Sequence, residues 1–97
     1  MTKVKSPQEW SKRVLDRDNR HCRWTGCTRP ATDAAHAFAR WYPSLSLLVE
    51  DGLAMCRSHH MILDELGHEK RRAVIRLLLG RKLYEDLAKL ARGVNLQ

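Results

Sequence analysis

A chain of 97 residues holds one domain whose core buries only about 60–65% of the unfolded surface, so a metal or similar staple would help it fold. Hydrophobic residues at 43%, mixed with 30% charged ones, exclude a disordered or low-complexity chain. The longest apolar runs, residues 45–49 and 77–79, fall far short of the roughly 20 residues a membrane span needs. The formal net charge of +7 suits a polyanionic partner.

In chain order, residues 1–5 contain no apolar stretch of a secretory signal, and a cytoplasmic location is the expectation. In that reducing compartment three cysteines, an odd number, suit metal ligation better than disulfide pairing. Ser6-Pro7-Gln8-Glu9 predicts a helix start, with Ser6 as N-cap, Pro7 at the first helical position and Glu9 closing a capping box. Trp10, Val14 and Leu15 form its apolar face, with Trp10 expected in the core, and Asp18-Asn19-Arg20 ends it. Residues 22–30 read as a tight loop through Gly26 and Pro30. Residues 32–38 form a short strand, and a long connection through Pro43 and Ser44 leads to residues 52–55, the second strand of an antiparallel pair. From Ser58 a short helix runs to about Leu66, where Gly67 stops it. Two more helices, 68–79 and 82–92, follow from the helical recurrence of Val74, Leu77 and Leu78 and then of Leu83, Leu87 and Leu90. The fold class is α+β, a single domain over residues 1–97 with no internal repeat.

Charge divides the chain into three parts. Residues 1–35 carry eight Lys or Arg against four acids, and residues 66–97 carry eight against three. Residues 36–65 hold only Arg40 and Arg57 against Glu50, Asp51, Asp64 and Glu65. A cation-binding centre between two phosphate-binding flanks has this pattern.

Cys22-x4-Cys27 and Cys56-x2-His59 together supply four soft or borderline ligands, the number and type that a tetrahedral zinc needs, with no thiol left over. The plainer reading is buried cysteines and a surface histidine. A second cluster is His36, Asp51 and His60, with Asp64 one helical turn after His60.

The run Asp33-Ala-Ala-His36, followed by Glu-Asp51-Gly-Leu-Ala-Met-Cys56-Arg-Ser-His-His60-Met-Ile-Leu-Asp64, resembles HNH endonucleases of the AHI/NGLALCxxHHxxxD pattern. Trp10, Val14, Leu15, Arg17-Asp18 and Cys22/Cys27 are similar to the lead-in of the zinc-containing members, so the resemblance covers about residues 10–66. The basic helical extension, 67–97, is less diagnostic and loosely resembles small phage recombination nucleases of the NinG kind.

This resemblance implies a ββα-metal core with a structural zinc knuckle, an N-terminal helix and C-terminal helices. It implies one-metal hydrolysis of DNA, double-stranded or branched, with Mg2+ or Mn2+ as the catalytic ion and Zn2+ as the structural one. It makes His36 the general base that draws a proton from water, and His60 a ligand of the divalent ion. Asp64 falls where colicin-type nucleases place a further ligand, and the i, i+4 spacing puts it on His60's face of the helix.

Two positions depart from the pattern. Asp51 replaces an Asn that orients the loop carrying the base, and an ionised Asp keeps the acceptors but loses the amide donors. Ala35 stands where many relatives carry a metal-binding Asp or His, and Asp33, on the same strand face, is a candidate substitute. Of the basic residues, Arg71, Arg72 and Arg76 lie at helical spacing opposite Val74 and Leu78 and can track a phosphate backbone, while Arg40 and Trp41 lie in the long connection near the site. Trp24, Trp41 and Tyr42 suit either base stacking or packing. Asp51 and Ala35 favour a second reading, a zinc-dependent nucleic-acid-binding module without catalysis. A third is a protein-interaction adaptor using the C-terminal helices. Oligomeric state is open.

Overall fold

The computed structural model describes residues 1–38 and 42–93, so Arg40 and Trp41 lie outside the described residues. Helix α1, Pro7–Arg17, opens as the sequence predicts: the Ser6 hydroxyl accepts the Glu9 N–H at 3.1 Å and Pro7 takes the first turn. The capping box is modified, because the Glu9 carboxylate accepts the Lys5 N–H at 3.3 Å. Trp10 and Val14 are buried, and the Trp10 indole donates to the Leu48 carbonyl at 2.7 Å. The chain leaves the helix through Asn19 (φ 53°) and Arg20 (φ 56°), two consecutive left-handed residues without a glycine. The bonds Arg20 N–H to Leu15 O, 2.8 Å, and Ala31 N–H to Arg20 O, 2.7 Å, hold them there.

Strands β1, Asp33–His36, and β2, Gly52–Met55, pair antiparallel in the register Asp33↔Met55, Ala34↔Ala54, Ala35↔Leu53 and His36↔Gly52. β1 is shorter than the predicted 32–38. Beyond His36 the Ala37 and Phe38 N–H groups turn to the main-chain oxygen (2.7 Å) and the side chain (3.0 Å) of Asp51, which ends a short 3-10 turn, Val49–Asp51. Helix α2, Arg57–Glu65, follows β2 directly, so β1, β2 and α2 form a ββα unit.

α1 and α2 cover opposite faces of this sheet. Ala34 packs with Val4, Trp10, Val14 and Val49 on the α1 side; Ala35, Leu53, Met55 and Leu63 pack together on the α2 side. Helices α3, His68–Leu79, and α4, Arg81–Ala91, complete the fold, with Ile75 buried against the α2 side and Leu87 against Leu45 and Leu48. α2 stops at Leu66, which turns extended (ψ 141°) to place its side chain against the core; Gly67, expected to be the stop, is the N-cap of α3. Gly80 alone breaks α3 from α4, at φ 89° and ψ 152°, where only glycine fits without strain. Among the described residues no helix is long and apolar enough to cross a membrane.

α1 approaches the sheet most closely at Gly52, where a Cβ would land on Val14 Cγ2 and within 2.9 Å of Trp10 Cζ2. Neither neighbour can retreat from the core, so Gly52→Ala should destabilise the protein by at least about 2 kcal/mol in urea denaturation. A change within about 0.5 kcal/mol would show that α1 can shift away at little cost.

Candidate functional site

Cys22 and Cys27 flank a turn in which Gly26 takes φ 80° and the Cys27 N–H bonds to Trp24 O at 2.9 Å. Cys56 follows β2 as the N-cap of α2, and His59 lies in the first turn of that helix. The loop is tied to the fold by Asp18, whose nearly buried carboxylate receives Arg17, Arg23 and the Ala54 N–H of β2. As a result the three sulfurs and a ring nitrogen of His59 lie within 4.8 Å of one another, with His59 Nδ1 3.6 Å from Cys22 Sγ and 3.3 Å from Cys56 Sγ. Ligands about 2.0–2.3 Å from a tetrahedral ion are separated by about 3.3–3.8 Å, so these four residues can hold a metal ion. The Trp24 ring stacks on His59 at 4.7 Å and 3°. The His59 backbone N–H draws the Cys56 thiol below its ordinary value, whereas burial pushes Cys22 up.

His60, about 100° further round α2, serves a different cluster. Its Nδ1 lies 2.8 Å from Asp33 Oδ2, and Arg57 reaches the same carboxylate at 2.9 and 3.2 Å. Burial opposes ionisation of Asp33, but hydrogen bonds from His60, Arg57 and Thr32 outweigh it and hold the carboxyl at about 2. An ionised Asp33 only accepts, so the ring donates from Nδ1 and turns Nε2 away from Asp33. That nitrogen faces Asp64 Oδ2 at 3.5 Å. Two electron-rich atoms so placed call for a proton or a cation between them. Asp33 therefore orients His60, a position different from the ligand role its strand face suggested.

His36 ends β1 on the α1 side of the sheet. Its ring stacks on Trp10 at 4.0 Å and 8°, and Nε2 lies 3.1 Å from the Ser46 carbonyl. A carbonyl only accepts, so Nε2 carries a proton. The structure thus brings His60, Asp64 and Asp33 together on the α2 side and sets the His36 ring on the other. Arg71 spans the two: its guanidinium donates to the His36 carbonyl at 2.7 Å and to the Leu63 carbonyl at 3.3 Å, and reaches Asp64 Oδ1 at 3.4 Å.

Arg71 is committed to this clamp. Arg72 and Arg76 are exposed on α3, and Arg72 bonds the His68 ring at 2.5 Å. Of the stacking candidates, Trp24 packs on His59 and Tyr42 lies at the surface. Asp18 and the Arg71 clamp escaped the sequence reading; the Arg17-Asp18 pair in the motif lead-in was the available signal for the first, and the second had none.

Asp51 is fully buried. Oδ1 accepts the Phe38 N–H, and among the described residues Oδ2 has no hydrogen-bond partner. Burial pushes its carboxyl up to about 8, against the opposing effects of the Phe38 N–H and the Arg71 charge. At neutral pH the side chain is mostly the acid, one acceptor and one O–H, which is closer to an amide than the ionised group expected from sequence. It pins the residues that follow His36.

No family model, curated protein or solved structure matches the chain.

Asp51 sets a pH dependence. The unfolded carboxyl titrates near 3.8 and the folded one near 8, so between these values the folded state holds the extra proton and stability falls as pH rises. Between pH 5 and 7, urea denaturation should show wild type losing up to about 1.4 kcal/mol per pH unit relative to Asp51→Asn. Parallel pH profiles would mean that the buried carboxyl is ionised throughout.

Proposed function

We propose that the chain is a metal-dependent DNA endonuclease of the HNH class, stapled by a structural zinc in the Cys22, Cys27, Cys56 and His59 tetrad. The observation that carries this reading is the facing of His60 Nε2 and Asp64 Oδ2 at 3.5 Å within a ββα unit, with His60 Nδ1 held by a carboxylate. Metal-binding histidines characteristically have the second nitrogen held in this way. The motif resemblance and the basic flanks of the chain point to a phosphodiester substrate.

His60 and Asp64 would hold Mg2+ or Mn2+, which when bound supplies positive charge at the scissile phosphate. His36 takes the proton of the attacking water at Nδ1, its ring kept in plane by Trp10 and its tautomer set by Ser46 O. Arg71 fixes the His36 main chain relative to Asp64. Asp51, through Phe38, keeps the chain after His36 in place.

One observation favours the non-catalytic nucleic-acid-binding module. Ala35 is buried and has no ligand atom, and Asp33 is taken by His60 and Arg57, so among the described residues His60 and Asp64 are left to face the proposed ion.

Nicking of supercoiled plasmid separates the two. The purified protein should nick with Mg2+ or Mn2+, and His36→Ala should lose about two to four orders of magnitude while retaining divalent-ion affinity. His60→Ala should instead weaken divalent-ion binding, with part of the activity returning at high metal. Wild type that fails to nick across divalent ions and DNA forms overturns the enzyme reading. Elemental analysis should give about one zinc per chain, retained in His60→Ala and lost in His59→Ala. Zinc loss from the His60 variant would exchange the roles of the two histidines.

A further inference from the structure

An open cleft of about 570 Å³ lies between α3, α4 and the residues that follow β1. That volume suits one nucleotide-sized ligand and is too small for a base-paired helix. Its floor includes Phe38, Ile75 and Tyr84, and Arg71, Arg72 and Arg92 line its rim. Among the described residues no carboxylate lines it. Arg71 is spent on the clamp, but among the described residues Arg72 bonds only the His68 ring nitrogen and Arg92 has no ion pair. Two cations therefore stand over an aromatic floor, where the Phe38 and Tyr84 rings lie 5.3 Å apart at 31°. The Phe38 wall is fixed, since Asp51 holds its backbone N–H.

We propose that this cleft binds one unpaired nucleotide of the DNA strand being cut, its base against Phe38 and Tyr84 and its phosphate between Arg72 and Arg92. The identity of the strand rests on the nuclease reading; the binding chemistry does not. An aromatic floor beneath an arginine rim admits a base only when it is unstacked and unpaired, and accepts any base because each has a π face. Arg71 lines the cleft and also bonds the His36 carbonyl and Asp64, so a nucleotide seated there lies next to the residues proposed to handle the scissile phosphate. The preferred substrate is accordingly DNA with single-stranded character beside the cut, such as a gap, flap or branch.

The test uses the full zinc-loaded chain without added Mg2+ or Mn2+, and a fluorescein-labelled dT12 strand against a 12-base-pair duplex over a salt series. dT12 should bind more tightly than the duplex. The double variant Arg72→Gln/Arg92→Gln, with unchanged circular dichroism and zinc content, should lose about tenfold in dT12 affinity and about 1.4 from the salt slope. Tyr84→Leu, which keeps an apolar floor but removes the ring, should weaken dT12 binding with the salt slope unchanged. The dinucleotide pdTpdT should shift the amide resonances of Phe38, Tyr84 and Ala88. Unchanged dT12 affinity and slope in the arginine variant, or dinucleotide shifts confined to other surfaces, would overturn the proposal. The two readings fail separately: a bound strand in a protein that never nicks removes the nuclease and keeps the cleft, and nicking by a protein whose cleft ignores dT12 removes only the cleft.

Discussion

A sheet of four residue pairs with a helix on each face leaves every strand side chain committed to one side or the other. That alternation organises the molecule. Asp33 and Ala35 go to the α2 side, where Asp33 meets His60; Ala34 and His36 go to the α1 side, where His36 meets Trp10. The same geometry demands a glycine at position 52, because α1 lies directly on the pair His36↔Gly52. It also places Cys56 and His59 together, since β2 runs straight through Cys56 into the helix that carries His59.

Among the described residues of 18–51 regular secondary structure is sparse, and long-range side-chain bonds to backbone join this region to the rest of the fold. Arg17 donates to the Val49 and Gly52 carbonyls at 2.9 and 2.6 Å, Arg23 to Leu78 at 2.8 Å, and Trp10 to Leu48 at 2.7 Å. Each ties a side chain to a main-chain carbonyl far away in sequence, and the Leu48 and Val49 carbonyls accept the Asp51 and Gly52 N–H groups as well. Asp18 is the hub among them, since one carboxylate joins the end of α1, the cysteine loop and β2. The Cys22, Cys27, Cys56 and His59 cluster, which can hold a metal ion, is thus joined to α1 and β2 through this polar network.

Burial divides the acids into two kinds. Asp33, supplied with His60, Arg57 and Thr32, stays ionised and can orient an imidazole; Asp51, supplied with a single backbone N–H, is held in the protonated form. A buried carboxyl that keeps its proton offers a donor and an acceptor, as an amide does, so Asp51 differs from an asparagine less than the formal chemistry of the two side chains suggests.

The sequence by itself determined the helices, one strand and the likeness of a tetrad. Ser6-Pro7 marks the first residue of α1, Gly52 to Met55 is β2 residue for residue, and the leucine spacing marks α3 and α4, because capping, turn and periodicity signals are local and act within a few residues. Cys22, Cys27, Cys56 and His59 were recognisable as a group from spacing and ligand chemistry alone. Tertiary structure decided what neighbouring residues do with one another. α2 ends near Leu66 as expected, but Leu66 itself is its C-cap, with its side chain against the core, and Gly67 serves instead as the N-cap of α3. Asp33 became the partner of His60, and Arg71 became a clamp rather than a free phosphate contact, because both depend on groups 27 and 35 residues away in sequence. The protonation of Asp51 likewise followed from its burial beneath Phe38, which no property of an isolated aspartate contains.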